Sequence, residues 1–220
     1  MNYFGHGYRY VDDPHFLAGT AVPDWLSVIN RRVRARARLA QPCTLDADPI
    51  LAAVAAGVVR HHRDDDWFHR TRAFAELSLS FTVSIRGQLA GDRGFRPSFL
   101  GHILVEILLD GALIERDAAR LDQYYLSMRS LDTVAVSQAV HRMTTGTVPE
   151  LPEMIRRFCS ERFLYDYLDN AKLLTRLNRV MGRVNLPQLP ASFLSFLPDA
   201  RRQVSERRDE LLTNPTDCET

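Results

Sequence analysis

Apolar residues recur at steps of three and four through most of this chain, the spacing of helices that bury one face. The clearest run lies in residues 48–90. Ile50, Leu51, Val54, Val58, His61 and Asp65 share one stripe, and Phe74, Leu77, Phe81 and Ile85 continue one further on. A second strongly apolar helix opens at Pro97-Ser98 and carries His102 to Arg116. Residues 14–30 predict a helix pair broken near Pro23, with Asp24 and Trp25 opening the second piece. Further helices are predicted near 117–142, 152–183 and 190–212. Breaks fall at Pro42–Pro49, Gly91–Gly94 and Thr144–Pro152. No stretch reads as an alternating strand. The pattern predicts an all-α, single-domain helical bundle over residues 1–213, with a frayed, disordered tail at 214–220. A chain of 220 residues with 45% hydrophobic content can bury one substantial core, and two small ones are also possible.

Polar residues interrupt two of these stripes in a particular way. His61, Asp65 and His69 stand at intervals of four, and so do His102, Glu106 and Asp110. Each four-residue step turns a helix by about 400°, so three such positions fall within roughly 80° of one face. Imidazole and carboxylate on a common face can bind a metal or perform acid–base chemistry. The alternative for the first triad is a solvated face with charge pairs worth a few tenths of a kcal/mol. That alternative is weaker for the second triad. Ile103, Leu104, Val105, Ile107, Leu108 and Leu109 surround its carboxylates. A buried carboxylate without a partner costs several kcal/mol, so Glu106 and Asp110 require partners or a cation. In Asp64-Asp65-Asp66 the side chains diverge. Asp65 shares the face of His61, Asp66 pairs more naturally with His62, and Asp64 and Asp66 are read as solvated or supporting. Mixed imidazole and carboxylate donors without cysteine allow Mn, Fe, Mg or Zn.

Charge changes this picture little. The net charge of +1 suggests no nucleic-acid partner. Lys172 is the only lysine, so the basic residues are almost all arginine. Arginine suits bidentate phosphate and carboxylate contacts, and codon bias is the plainer account. Arg31, Arg32, Arg34, Arg36 and Arg38 crowd one segment, which is either a solvated face or a dock for an acidic partner. Arg60 and Arg63 flank the first triad, within reach of a phosphate. Cys43, Cys159 and Cys218 are scattered and form no CxxC pair, which argues for a reducing, cytoplasmic setting. The first residues carry no apolar signal core, and no run of about 18 apolar residues predicts a membrane span.

Several segments, taken in order, resemble the acyl carrier protein phosphodiesterases, relatives of the HD phosphohydrolases. Met1-Asn2-Tyr3-Phe4-Gly5-His6 is similar to that family's Met-Asn-aromatic-Leu-Ala-His opening. Ala18-Gly19-Thr20-Ala21-Val22-Pro23-Asp24-Trp25 resembles its Gly-Asn-Leu-Leu-Ala-Asp-Phe segment and sets Asp24 on the family aspartate. Gly57 to Asp65 resembles Gly-Ile-x-x-His-Arg-x-Ile-Asp, with His61 and Asp65 on its His and Asp. Ile103 to Asp110 resembles Leu-Asp-x-x-x-Asp-His-Phe-Leu, with Glu106 and Asp110 on its two acids. The stretches Phe163 to Asn170 and Leu177 to Arg183 are similar to its C-terminal helices. The chain departs from the pattern at His62 (family Arg), His69 (Asp), Glu106 (Asp) and Gly111 (His).

The resemblance implies an HD-phosphohydrolase-like fold and hydrolysis of the phosphodiester joining 4′-phosphopantetheine to a serine of holo-acyl carrier protein, within fatty acid biosynthesis. It implies a divalent metal, foremost Mn²⁺, with Mg²⁺, Fe²⁺ or Zn²⁺ as alternatives. His6, Asp24, His61, Asp65 and Asp110 are the implied ligands, with Glu106 beside them. His69 or His102 would act as general acid or base, and Arg60 or Arg63 would neutralise the phosphate. The acidic carrier would dock on Arg31–Arg38. Two other readings stay open: a related phosphohydrolase acting on a small phosphoester, and a non-catalytic helical scaffold.

Overall fold

The computed structural model describes residues 1–89 and 94–214. The predicted break at Gly91–Gly94 and tail at 214–220 therefore lie largely outside the described residues, as does Cys218. Among the described residues all regular structure is helical, and no strand occurs. The helices are α1 (Tyr3–Gly7), α2 (Pro14–Ile29), α3 (Ala37–Ala40), α4 (Pro49–Phe68), α5 (Arg72–Gln88) and α6 (Pro97–Arg116), followed by α7 (Ala118–Arg129), α8 (Thr133–Arg142), α9 (Leu151–Glu161), α10 (Asn170–Arg183), α11 (Leu197–Glu206) and α12 (Arg208–Leu212). Short 3-10 turns cover Gln41–Leu45, Phe163–Leu168 and Ala191–Ser195.

The chain divides into two compact units that interleave in sequence. The first comprises Tyr3–Asp66 and Asp117–Phe163. The second comprises Met1–Asn2, Trp67–Arg116 and everything from Leu164 onward.

In the first unit α2 packs on α1, α7, α8 and α9. Its core is aromatic. Trp25 meets Phe158 edge-on at 5.5 Å, and Phe4 meets Tyr124 edge-on at 5.8 Å. Such ring pairs add roughly 0.5–1.5 kcal/mol to the area they bury. The predicted break at Pro23 does not occur: α2 runs unbroken through Pro23, and Asp24 sits inside the helix rather than at its start. Proline removes one intrahelical hydrogen bond. Around it Leu17, Ala18, Ala21, Val22, Trp25 and Leu26 are wholly buried, and that burial outweighs the loss. The start of α2 is set instead by Asp13, whose carboxylate accepts from the Phe16 N–H at 3.1 Å.

α2 and α4 touch through glycine. A Cβ on Gly19 would lie 2.2 Å from the Val54 carbonyl oxygen, and one on Gly57 would lie 2.1 Å from that of Phe16. Only glycine permits this approach. Thr20 and His61, one residue and one turn beyond these glycines, are thereby brought together.

In the second unit α5 and α6 pair along their lengths, and α11 covers both. Phe81 is fully buried and meets Phe196 edge-on at 5.6 Å. Gly101 allows α6 to approach α5 closely, since a Cβ there would lie 2.7 Å from the Ser78 carbonyl. α6 is the one described helix long and apolar enough, by length and composition, to cross a membrane. Two-thirds of the window that meets this test (67%) is buried within the protein, as in a core helix.

Four predicted helical stretches are divided; 190–212 becomes the Ala191–Ser195 turn, α11 and α12. The 48–90 pattern breaks after Phe68, where Thr71 caps α5 by accepting from the Phe74 N–H at 3.2 Å. The 117–142 helix breaks at Ser130–Asp132, with Asp132 accepting from Val134 and Ala135 to open α8. The 152–183 helix ends at Arg162, which adopts a left-handed φ of 46°. Each of these last three divisions comes from a capping side chain or a single backbone angle, while the apolar stripe runs on past it.

Two candidate metal centres

In the first unit α1 supplies His6, and α4 supplies His61, Asp64 and Asp65. The rings of His6 and His61 stack at 4.0 Å, inclined by 26°. His6 Nε2 lies 3.3 Å from Asp65 Oδ1, and His61 Nε2 lies 3.4 Å from Asp65 Oδ2. One donor atom from each of the three falls within 4.8 Å of the others. His6 and His61 are buried, while the Asp65 carboxylate is about one-third exposed and opens the group to solvent (30%).

The orientation of His61 is the informative detail. Its Nδ1 lies 2.8 Å from the Thr20 carbonyl, which can only accept, so Nδ1 carries the hydrogen. Burial, and then the neighbouring His6, hold the His61 pKa well below the ordinary range, so the ring is neutral. Its Nε2 therefore presents a lone pair toward the Asp65 carboxylate. Two acceptors facing one another are relieved by a positive charge beside them. His6 Nε2 approaches the other oxygen of the same carboxylate. Burial lowers the His6 pKa, but the neighbouring Asp64 and Asp65 carboxylates outweigh burial and leave it raised. Asp65 answers in kind: burial raises its pKa, but the surrounding positive groups, His6 foremost, together outweigh this and hold it well below the carboxylate range. A divalent ion would satisfy the same lone pairs, so the donor set fits one.

Of the two expectations for Asp64, solvated or supporting, the second fits: it is 2% exposed and joins His6 (Nδ1 to Oδ2, 3.7 Å) to Arg60 (Nε to Oδ1, 2.8 Å). The i,i+4 step from Arg60 to Asp64 was the available sequence signal. The Arg60 guanidinium also covers the Tyr10 ring at 5.7 Å. Arg63 is exposed. His62 turns to the Ala35 carbonyl, 2.7 Å from its Nε2, rather than to Asp66. Asp24 is half-buried on α2, outside the His6–His61–Asp65 group.

The second unit holds the remaining predicted residues. His69 does not complete a helical triad with His61 and Asp65, because α4 ends at Phe68 and the chain turns. It meets α6 instead: His69 Nε2 and His102 Nε2 lie 2.8 and 3.2 Å from the same Glu106 oxygen, Oε1. The amino group of Met1 lies 3.4 Å from that oxygen. Burial raises the Glu106 pKa, but the Met1 charge and the two histidines outweigh it and keep the carboxylate ionised. Asp110 does not share this group, although it lies one turn along α6. It is fully buried and accepts from Asn2 Nδ2 at 2.9 Å. At Gly111, where the resembled family has histidine, an added Cβ would lie 3.0 Å from Arg201 Nη1. Arg201 is held there by the Tyr167 carbonyl at 2.7 Å and by Asn170 at 3.1 Å.

The arginine-rich segment runs into α3 in the first unit. Val33 and Ala35 are buried, while Arg31, Arg32, Arg34, Arg36 and Arg38 are exposed. Arg31 and Arg32 lie in a turn and Arg38 within α3, while Arg34 and Arg36 alternate with the buried Val33 and Ala35.

Comparison with protein-family models, curated proteins and solved structures finds no match for this chain.

Proposed function

We propose that this protein is a metal-dependent phosphodiesterase that hydrolyses 4′-phosphopantetheine from the serine of holo-acyl carrier protein. The observation that carries the metal part of this reading is the convergence of His6, His61 and Asp65, with the His61 lone pair set by Thr20 to face a carboxylate. The carrier substrate rests on the ordered resemblance of residues 1–6, 18–25, 57–65 and 103–110 to the carrier phosphodiesterases. His6, His61 and Asp65 would hold the ion. A divalent ion in such a site lowers the pKa of a bound water and polarises a phosphoryl oxygen. Thr20 fixes the His61 tautomer, and Asp64 orients His6 from behind, the arrangement that tunes metal-binding imidazoles. Arg60, half-buried on the same helix, supplies positive charge for a phosphate. The outward arginines at 31–38 offer an acidic carrier a docking stripe.

A second reading, hydrolysis of a small phosphoester, is favoured by one observation. Arg201 stands against Gly111, where the resembled family carries an imidazole. One experiment separates the two. Wild-type protein reconstituted with Mn²⁺ is incubated with holo-acyl carrier protein, and carrier mass is followed. Loss of the phosphopantetheine mass by wild type, but not by His61→Asn, is expected. A triple Arg31→Glu, Arg34→Glu, Arg36→Glu variant should convert carrier more slowly while keeping its metal. An intact carrier alongside cleavage of bis(p-nitrophenyl) phosphate supports the second reading. No cleavage of either substrate refutes both.

A further inference from the structure

His69, His102 and Glu106 are absorbed by neither reading as a ligand set. We propose that they form a separate site for a divalent transition-metal ion of the zinc and cobalt class, with Nε2 of each histidine and Oε1 of Glu106 as donors. This assigns the two histidines to metal binding rather than to proton transfer.

Distances support the assignment. In a tetrahedral site with bonds of about 2.0–2.2 Å, neighbouring donors stand about 3.3 Å apart. Here the histidine nitrogens already stand 2.8 and 3.2 Å from the Glu106 oxygen. All three donors fall within 4.8 Å of one another, close enough for side-chain adjustment to admit an ion. Both imidazoles present the same nitrogen to the same oxygen. A simple ion pair requires only one of them.

The surroundings hold the rings in place. Phe74 lies 4.8 Å from the His69 ring and 4.9 Å from the His102 ring, edge-on to the latter. Phe68 backs both His69, at 5.5 Å, and Phe74, at 5.0 Å. Phe68 and Phe74 are themselves buried. The donors thus rest against a fixed aromatic wall. Their other side is open: His69 and His102 are 31% and 43% exposed. An ion can therefore approach from solvent. Two imidazoles and one carboxylate leave a coordination position for water, as in open zinc sites. The mixed nitrogen and oxygen donor set, without sulfur, suits zinc and cobalt and not calcium, which takes oxygen donors alone.

The test is titration of the full chain with Co²⁺, read by visible d–d absorption and calorimetry. Wild type, His61→Asn and a His69→Gln, His102→Gln double variant are compared, with circular dichroism confirming helicity. His102→Gln alone serves as a second variant, because its exposed position tolerates change. Loss of one equivalent in the double variant, with affinity at that site reduced at least about 100-fold, supports the inference. Loss of a supporting partner alone already costs as much as this. An unchanged Co²⁺ stoichiometry and spectrum in both histidine variants overturns it. A single equivalent lost in His61→Asn but kept in the double variant overturns it too and leaves the proposed function standing. A single equivalent lost only in the double variant supports the inference while removing the His6–His61–Asp65 ligand set.

Discussion

Substituting Gly57 by alanine tests the link from packing to chemistry. In an exposed helix interior this change is favourable by about 1 kcal/mol, since alanine has the higher helix propensity. Here the new methyl would sit 2.1 Å from the Phe16 carbonyl oxygen and 2.8 Å from Gly19 Cα. The first distance is about 1.3 Å inside the 3.4 Å at which ordinary contact begins. Both atoms it meets are backbone, so no side chain can rotate away. α2 and α4 must move apart, and overpacking of this kind costs about 1–3 kcal/mol or more. The net expectation is a loss of up to about 2 kcal/mol or more after the propensity gain. A separation of only half the overlap would stretch the 2.8 Å bond from His61 Nδ1 to Thr20 beyond hydrogen-bonding range. His61 would then lose its tautomer, and metal affinity in the first unit should fall with stability. Urea denaturation with Mn²⁺ or Co²⁺ titration reads both effects. Gly87→Ala is the control, because nothing lies within 4 Å of its added methyl, and it should stabilise by about 0.5–1 kcal/mol. Equal stabilisation of both variants would refute the close-crossing account.

Two further perturbations probe other elements. Thr71→Ala removes the cap that accepts from Phe74 and donates to the Phe68 carbonyl, and should cost about 1–2 kcal/mol in urea denaturation, with Thr71→Ser restoring most of it; an unchanged midpoint would show that the cap is redundant. The Asp48 N–H and then Arg142 hold the Asp46 carboxyl below its ordinary range, so the stability it confers is present at neutral pH and is lost as pH falls below about 4. The stability gap between wild type and Asp46→Asn, measured by urea denaturation from pH 7 to pH 3, should therefore shrink on acidification, and a gap independent of pH would contradict the assignment.

Much of the architecture was legible in the chain itself. The three-and-four stripe of α5 and the apolar run of α6 were readable because burial of one helix face leaves a period in sequence. Helix ends were less so. Pro23 reads as a break, yet α2 continues, because a dense apolar face offsets one lost hydrogen bond. Thr71 and Asp132 divide helices through a pair of side-chain hydrogen bonds each, which periodicity does not register. For the candidate sites, sequence spacing identified the residue types and assembled them differently. The step of four grouped His69 with His61, but α4 stops at Phe68 and His69 turns to Glu106 instead. Glu106 and Asp110 share a helix face and still part, one toward two imidazoles and the other toward Asn2.

The sequence by itself determined that the chain would be helical and that a few imidazoles and carboxylates would interrupt its apolar stripes, since both follow from periodicity and the cost of burying charge. Tertiary structure alone decided which of those groups meet. His6 reaches His61 because α1 packs beside α2, and His61 finds Thr20 because Gly19 and Gly57 let α2 and α4 nearly touch. Helical spacing sets only the direction of a side chain, whereas a metal site requires donors from different elements within a few ångströms, and that distance is fixed by packing.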